Sequence, residues 1–375
     1  MLKNLFKNYI YPIATLVGGI VGVGFLSLPY IALQVGTPVM IFYFVVLTAF
    51  IVFIHEIFVK ISLQTPDHKR WPGFVGFYFG PWAKKIVLCL MVSGICGVML
   101  AYIIVGGQFL ATLLQPLFGQ SSALYSVMYF MLASIFIYSG TKLISWIDFL
   151  ALSSLLVIML LILVKGFSHI NINHFFLSAP GLSDAKTLFL PYGAIMFSLW
   201  GTGLIPSVEE MISQNKRALK TVVIWGTLIP ALFYALFTFL ILSITGPATS
   251  SSALTGLMHV LPGQVAMIAI LIGVISTFVA LVALGLLLKE ILMYDVGFSP
   301  KISWSVVFFV PLILFFLGLN SFISLISFVG GFLLPIDGIL ILMMYLKIGG
   351  KKIVAIPLAI FFVLGLFYEI IYLIN

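Results

Sequence analysis

Apolar stretches of about 20 residues recur along the whole chain, and each is long enough to cross the ~30 Å hydrocarbon core of a membrane as a helix. Of the 375 residues, 63% are hydrophobic and only 7% are charged. Soluble domains carry about 25% charged residues, so a soluble enzyme or binding domain is excluded. The strands of an outer-membrane barrel would alternate in segments of about ten residues, a pattern that this chain lacks. The sequence therefore predicts an all-α polytopic membrane protein.

The apolar stretches predict eleven transmembrane helices, with the longest loops at 62–85, 166–186 and 246–261. The predicted helices cover residues 10–33, 37–61, 86–115, 122–140, 144–165, 187–211, 220–245, 262–289, 302–319, 322–346 and 353–373. The loop at 62–85 contains the aromatic segment WPGFVGFYFGPW, which we expect to lie at the membrane interface. Cys89 and Cys96 fall in one predicted span, where small apolar packing residues are expected rather than a disulfide or metal site.

The basic residues predict the orientation of these helices. With the N-terminus in the cytoplasm, only Lys165 and Lys186 of the 18 basic residues fall outside, which leaves 16 on the cytoplasmic side. This bias is what the positive-inside rule expects. We therefore predict a multi-pass protein of the cell (inner or plasma) membrane, with an external C-terminus. The net charge of +8 is explained by orientation, so the lipid bilayer is an expected partner and nucleic acid is not.

Two predicted helices contain the same glycine pattern. The first includes GGIVGVGFLSLPY from Gly18 to Tyr30, and the sixth includes GTGLIP from Gly201 to Pro206. Both have G-x-G, two apolar residues and a proline, and they lie five helices apart, a spacing that inverts one copy relative to the other. Interrupted spans at matching positions in two halves indicate the binding site of a transporter. Close helix packing through Gly18 and Gly22 is the alternative explanation for the first helix.

A broken helix offers backbone groups that can bind a charged substrate. Glycine lowers the stability of a helix by about 1 kcal/mol relative to alanine. A break in the membrane must also face protein or a water-filled cavity. Freed N–H groups at a half-helix N-terminus suit a carboxylate, and freed carbonyls suit an ammonium group or a sodium ion. An amino acid carries both charges, so it is the small-molecule substrate that the pattern favours.

The segments GGIVGVGFLSLPYIALQVG and FSLWGTGLIPSVEEM resemble the amino acid/auxin permeases and the aromatic amino acid (tryptophan/tyrosine) permeases of the amino acid–polyamine–organocation superfamily. GGFLLPIDGILILMMYLK, in the tenth predicted helix, is similar to them too. The resemblance implies one leucine-transporter-type domain over residues 1–375. That domain would contain two inverted five-helix repeats, about 10–166 and about 187–346, and one extra helix at 353–373.

The resemblance also implies the activity. A member of this group would be a secondary active transporter that works by alternating access, with no cofactor except a coupling sodium ion or proton. Its substrate would be an aromatic or neutral amino acid. An enzyme embedded in the membrane, a channel or a non-transporting sensor on the same scaffold is the alternative. An enzyme would need clustered acid, base or nucleophile residues, and the five histidines show no H-x-x-x-H or H-E-x-x-H spacing.

By resemblance, the substrate site lies between the first and sixth helices. The residues implied are the backbone at Gly19, Ile20, Gly22, Val23 and Gly24, and the sixth-helix segment Phe197, Ser198, Leu199, Trp200 and Gly201. Relatives often have another aromatic or a small residue where Trp200 stands, so Trp200 is a candidate gate. Tyr102 in the third helix is a further candidate, because a phenol suits a site that is half apolar and half polar. A tyrosine facing lipid or the core is the alternative.

Candidate ion-coupling residues lie elsewhere. In sodium-coupled members of this fold, two hydroxyls of the eighth helix join first-helix carbonyls around the ion, which here implies Ser276 and Thr277 with the carbonyls of Gly18 and Val21. Alternatively, both hydroxyls bond back to carbonyls of their own helix. Asp337, within the tenth helix, is a candidate for proton coupling or a structural ion pair, and a solvated position nearer the surface is the alternative.

Other polar residues are expected near the cytoplasmic surface. His55 and Glu56 stand towards the inner end of the second predicted helix, where we expect an interfacial position. Glu209 and Glu210 close the sixth predicted helix and are expected at the cytoplasmic surface, where they are candidates for part of an inner gate.

Overall fold

The computed structural model describes residues 5–67, 69–140, 144–176, 185–212 and 216–374. Apart from one isolated bridge between Ser250 and Ala253, these residues form helices, turns and loops. The main α-helices are α1 (Tyr11–Ile20), α2 (Leu28–Val35), α3 (Thr37–Gln64), α4 (Trp71–Phe79), α5 (Pro81–Phe118), α6 (Ser122–Ser139), α7 (Ile144–Gly166), α8 (Leu190–Leu199), α9 (Ile205–Met211), α10 (Lys216–Thr245), α11 (Gly263–Ile291), α12 (Pro300–Phe316), α13 (Phe322–Phe328), α14 (Leu334–Lys347) and α15 (Lys352–Ile374). The prediction of an all-helical chain is confirmed.

Seven helices of the described residues are long and apolar enough to cross a membrane, or eight if the bent pair Phe6–Ile20 and Val23–Val35 counts as one span. A helix, continuous or broken, lies at each of the eleven predicted segments. The third predicted helix starts earlier than expected, because α5 begins at Pro81 and runs for 38 residues. Gly80 precedes it with a φ of 90°, a conformation that favours glycine and lets the chain turn sharply out of α4.

The aromatic loop segment folds back on the helix bundle as α4. Its residues Trp71 and Phe74 are buried, and their rings meet Phe58 of α3 edge-on at 5.6 and 5.2 Å. Such tilted ring pairs add to the stabilisation that burial provides. The segment therefore braces one end of α3 rather than forming an open loop.

The two broken helices lie together at the centre of the molecule. The 3-10 turn Val23–Ser27 and α2 pack against α8, whereas α1 packs against α9. Each half of one broken helix thus meets the opposite half of the other, so the two run antiparallel. On the other side of α8 lies the tenth helix, where the close approach of Gly193 to Gly330 leaves no room for a Cβ atom at Gly330. α10 covers α1, α2 and α3, and α11 packs on α5 and α7.

Candidate functional site

The first broken helix changes direction at Val21 and Gly22. α1 ends at Ile20, the next two residues are extended, and a 3-10 turn then leads into α2 at a bend of 53°. Gly22 has a φ of −125°, which any residue can adopt. Space rather than conformation favours glycine here, because an added Cβ would lie 3.0 Å from the hydroxyl oxygen of Tyr102, which would have to shift.

The sixth-helix break lies at Trp200 and Gly201. α8 ends at Leu199, Trp200 is extended, and the 3-10 turn Thr202–Leu204 leads into α9. A Cβ on Gly201 would lie 2.7 Å from the side chain of Ile20, so the two breaks are in direct contact. Both G-x-G segments therefore coincide with interrupted helices.

The other first-helix glycines of the predicted site face the sixth helix. A Cβ on Gly24 would lie 2.5 Å from the ring of Phe197 and 2.6 Å from Oγ of Ser198. A Cβ on Gly19 would collide with the side chain of Leu204. The structure thus brings the predicted first- and sixth-helix residues together along one seam.

Two tyrosines hold the freed backbone groups of the breaks. The N–H of Val23 donates to the hydroxyl of Tyr102, a buried residue of α5, at 2.9 Å. Tyr234 of α10 donates to the carbonyl of Ile20 at 3.0 Å and to that of Ser198 at 3.2 Å. The hydroxyl of Tyr234 therefore joins the last turns of α1 and α8. It supplies the hydrogen bonds that the freed carbonyls of a buried break need.

A cluster of rings fixes the position of Tyr234. Phe25 stacks on it with ring centroids 5.3 Å apart, and Phe233 and Phe237 meet Phe25 edge-on at 5.6 and 4.7 Å. Tyr234 is fully buried. These contacts orient the hydroxyl towards the breaks. Nothing in the sequence separates Tyr234 from a lipid-facing tyrosine, so hydropathy alone misses it.

His55 is fully buried against the sixth-helix break, so the predicted interfacial position is wrong. Its Nε2 accepts the N–H of Gly201 at 3.1 Å. Its Nδ1 lies 2.9 Å from the hydroxyl of Thr227, which itself donates to the carbonyl of Val223. Both contacts are satisfied only by a neutral imidazole that carries its proton on Nδ1. The error arises because α3 continues to Gln64, which places His55 more than two turns before its end.

Glu56, the neighbour of His55, lies at the edge of the bundle. It forms a salt bridge of 3.1 Å with Lys220, a largely exposed residue. The side chain of Glu56 itself is mostly buried, at 18% exposure. The pair joins α3 to the start of α10 near one end of the molecule.

Two of the predicted sixth-helix residues contact residues outside the first helix. The ring of Trp200 lies 6.0 Å from that of His55 and 6.2 Å from that of Phe362, so it is directed towards α3 and α15. The hydroxyl of Ser198 donates to the carbonyl of Ala194 at 2.7 Å. Phe197, which is half-buried, packs on Gly24.

Thr277 has hydrogen bonds of its own in this structure. Its hydroxyl donates to the carbonyl of Gly273 at 2.8 Å and accepts from Tyr129 at 2.8 Å. Ser276 beside it is buried. Among the described residues, no hydrogen bond of Thr277 reaches Gly18 or Val21. Thr277 is thus bonded back to its own helix here, as in the alternative that the sequence left open for both hydroxyls, and Tyr129 is a contact that the sequence did not indicate.

Asp337 and Glu209 each connect two helices by a hydrogen bond. Oδ1 of Asp337 accepts the indole N–H of Trp71 at 2.9 Å, which ties α14 to α4. The hydroxyl of Ser62 donates to Oε2 of Glu209, which ties α9 to α3. Salt bridges of the described residues pair Asp67 with Lys69, Asp295 with Arg70 and Glu56 with Lys220, so Asp337 is in none of them.

A cavity of about 390 Å³ opens beside the ends of α2 and α5, where α13 begins. Its lining, which lies within the described residues, is largely amide and hydroxyl groups and contains no charged side chain. The polar residues include Tyr30, Gln34, Gln108, Ser251, Asn320 and Ser324. The cavity lies on the α2 side of the first break, and Glu209 lies at the far end of α9. Such a lining suits the passage of a polar solute without net charge.

Comparison with known proteins identifies a family and a fold. Residues 7–354 match the sequence model of the tryptophan/tyrosine permease family. No curated protein matches the chain.

Three solved structures of transporters are similar to the chain over most of its length. The first is MhsT in complex with L-phenylalanine, which is 14% identical with a TM-score of 0.53 and covers 97% of this chain and 96% of that one. The second is a manganese transporter of Eremococcus coleocola, at 14% identity and a TM-score of 0.66, covering 99% and 87%. The third is Mhp1, a nucleobase-cation-symport-1 family transporter, at 13% identity and a TM-score of 0.61, covering 88% and 76%. At these identities the likeness shows the fold alone, and these neighbours have the leucine-transporter fold.

Proposed function

The chain belongs to the tryptophan/tyrosine permease family, and from this premise we propose that it is a secondary active transporter of aromatic amino acids that works by alternating access. Family and fold together identify a membrane transporter rather than an enzyme. The substrate, the driving ion and the transport cycle are the parts that we propose.

The observation that carries the proposal is the pair of hydrogen bonds from Tyr234 to Ile20 and Ser198. These two carbonyls are acceptors freed by the two breaks, and they lie close enough to share one hydroxyl. An ammonium group could take the same acceptors, while the N–H groups near Gly22 and Val23 suit a carboxylate. A zwitterion would thus be bound without any charged side chain in the site.

Aromatic side chains around the breaks support an aromatic substrate. Phe25 lies within the 3-10 turn that follows Gly22, Phe197 packs against that turn at Gly24, and Trp200 continues the aromatic surface towards His55. Ring faces and edges of this kind bind aromatic ligands in offset or edge-on contacts. The bound L-phenylalanine of MhsT, a protein with a similar fold, is consistent with this choice.

We also propose the topology that the sequence predicts. The chain would have eleven spans in a single domain: two inverted repeats at about 10–166 and about 187–346, and an extra helix at 353–373. The antiparallel packing of the two broken helices supports the inversion. The distribution of basic residues supports a cytoplasmic N-terminus and an external C-terminus in the cell membrane.

Ion coupling completes the proposal. Ser276 and Thr277, with the carbonyls of Gly18 and Val21, are the proposed sodium ligands, and Asp337 is the proposed protonatable group if protons drive uptake. Thr277 would keep the bond that it donates to Gly273, because the bond accepted from Tyr129 uses only one of the two lone pairs of the hydroxyl oxygen and leaves the other for the ion.

A thermal-shift screen of the purified protein against the twenty amino acids tests the substrate. We expect tryptophan, tyrosine or phenylalanine to raise the melting temperature. Tryptophan methyl ester, which lacks the carboxylate, and indole-3-propionate, which lacks the ammonium group, are the matched ligands and should stabilise much less. Stabilisation by none of the twenty would exclude an amino acid substrate.

Transport in proteoliposomes separates a secondary transporter from a channel. Under an imposed ion gradient, a coupled transporter accumulates labelled substrate above the external concentration. A channel only equilibrates it. Equilibration without accumulation, under both sodium and proton gradients, would contradict the proposal.

A further inference from the structure

The last helix carries an ionisable residue that has no place in the transport proposal. Glu369 of α15 is 0% exposed. Its Oε2 accepts the hydroxyl of Ser327 at 3.0 Å, and its buried Oε1 has no hydrogen-bond partner among the described residues. An ionisable group inside a membrane span is costly, and where one occurs it is usually functional.

A second buried polar group without a partner lies at the same place. Tyr192 of α8 is 3% exposed, and its hydroxyl makes no hydrogen bond to any described residue. It contacts Gly365, one turn before Glu369 on α15, so both groups occupy one helix face. Gly331 of the π-helical segment Val329–Leu333 leaves room for the carboxyl, since a Cβ there would lie 2.5 Å from Oε2.

No positive side chain of the described residues faces Glu369. The elements around it are α13, which carries Ser327, α14, the segment Val329–Leu333, α8 and α3. From α8 the titratable group that faces it is Tyr192, and on α15 its neighbour Tyr368 stacks on Phe189. The titratable residues of α3 also include Tyr43, whose ring meets that of Phe42 edge-on at 5.9 Å. The remaining charged or titratable residues of α3 and α14 have partners elsewhere: His55, Glu56, Lys60, Asp337, Tyr345 and Lys347.

A carboxylate with one hydrogen bond and no counter-charge is expensive in an apolar interior, whereas a protonated carboxyl carries no charge. We propose that Glu369, Ser327 and Tyr192 form a proton-binding site within the membrane that fastens α15 to the sixth and tenth helices. The proton binds at a carboxyl oxygen of Glu369, and its release leaves a carboxylate between Tyr192 and Ser327. Since α8 carries Tyr192 and ends at the break, the charge state of Glu369 acts on the outer half of the sixth helix.

Thermal unfolding of the purified protein between about pH 5 and about pH 9 tests the site without any substrate. Glu369 is neutral in the folded protein and ionised in the unfolded one above about pH 4.3. Its contribution to stability is therefore largest at the acid end and is lost as the pH rises through the value at which folded Glu369 ionises. Glutamine is an uncharged mimic of the protonated carboxyl. We expect the melting temperature of Glu369→Gln to match that of the wild type near pH 5 and to fall less as the pH rises, by about 2 °C or more at pH 9.

Glu290→Gln is the matched control, because Glu290 is a half-buried glutamate near the end of α11. Its pH profile should follow that of the wild type. Identical profiles for the wild type and Glu369→Gln would overturn the proposal. Stabilisation of the wild type by sodium at fixed pH that is absent from Glu369→Gln would also overturn it, because the site would then bind sodium.

A measurement on the wild type keeps the test valid if Glu369→Gln does not fold. Dicyclohexylcarbodiimide reacts with protonated carboxyls in apolar surroundings, and peptide mass spectrometry locates the adduct. We expect labelling at Glu369 that falls as the pH rises. No labelling at Glu369, or labelling that does not depend on pH, would contradict a proton site. These outcomes do not depend on transport, so they are independent of the proposed substrate.

Discussion

The hydroxyl of Tyr234 donates a hydrogen bond of 3.0 Å to the carbonyl oxygen of Ile20, the last residue of α1. The same hydroxyl reaches the carbonyl of Ser198 on the other broken helix. A helix that ends inside a membrane leaves carbonyls that must find donors in the protein. Tyr234 is thus the common support of both breaks, and α10, which carries it, is a structural part of the site.

We expect Tyr234→Phe to lower the stability of the folded protein. The ring would keep its stacking on Phe25, but two buried carbonyls would lose their shared donor at a cost of about 1–3 kcal/mol. Thermal unfolding in detergent measures the change. Tyr125→Phe is the matched control, because the Tyr125 hydroxyl is buried with no hydrogen-bond partner among the described residues and its removal should change little. Equal effects of the two variants would show that Tyr234 does not support the breaks.

Gly22→Ala should reduce substrate uptake by about tenfold or more, equivalent to about 1.4 kcal/mol or more. The added methyl would lie 3.0 Å from the hydroxyl of Tyr102 and would disturb its bond to Val23. Initial uptake rates in proteoliposomes, corrected for the amount of inserted protein, measure the effect. Gly203→Ala is the control: it lies in the sixth-helix break with no described atom within 4 Å of the added carbon. If both variants transport equally, close approach at Gly22 is not needed for uptake.

The breaks are predictable from the sequence because their cause is local. Repeated glycines weaken a helix wherever they occur, and a proline follows closely in both segments, so the residue order around Gly22 and Gly201 is enough to indicate interruptions. The family resemblance then assigns those interruptions to a substrate site. Helix positions are predictable for a similar reason, since they follow from runs of apolar residues.

The groups that support the breaks are not predictable in this way. Tyr234 and His55, which support the breaks, and Tyr129, which bonds Thr277, come from three other helices. In a span that is apolar on every side, hydropathy does not show which face points inward. The burial of His55 depends on how far α3 continues beyond it. Glu369 did carry a usable signal, because an ionisable residue within a predicted span is a functional candidate by default. Its partners Ser327 and Tyr192 come from distant segments and become visible only through tertiary packing.

His55→Phe should destabilise the sixth-helix break. Phenylalanine fills most of the space of the imidazole but cannot accept the N–H of Gly201 or bond to Thr227, at a cost of about 1–3 kcal/mol. Amide hydrogen exchange of the peptide that contains Gly201, followed by mass spectrometry, should become faster, and uptake should fall with it. His55→Gln can offer an amide oxygen to Gly201 and should recover part of both. His259→Phe, at an exposed position, is the control.

One outcome would contradict the role of His55 at the sixth-helix break. If His55→Phe and His55→Gln exchange at the wild-type rate at Gly201, the contact seen at 3.1 Å does not protect that amide. His55 would then be a packing residue only. A loss of uptake with unchanged exchange would place its role elsewhere in the transport cycle.

Thr277→Val should abolish sodium-dependent uptake if sodium drives transport. Valine keeps the shape of threonine but removes the oxygen that we propose as an ion ligand, and sodium requires hard oxygen donors. Uptake is measured in sodium and in choline buffer at fixed pH, and then after the proton gradient has been dissipated. Thr112→Val is a closely matched control, because both hydroxyls donate to the carbonyl four residues earlier at 2.8 Å. We expect Thr112→Val to keep the full response to sodium. If uptake by the wild type is the same in sodium and choline but is lost with the proton gradient, Ser276 and Thr277 have no ion role, and Asp337→Asn becomes the decisive variant.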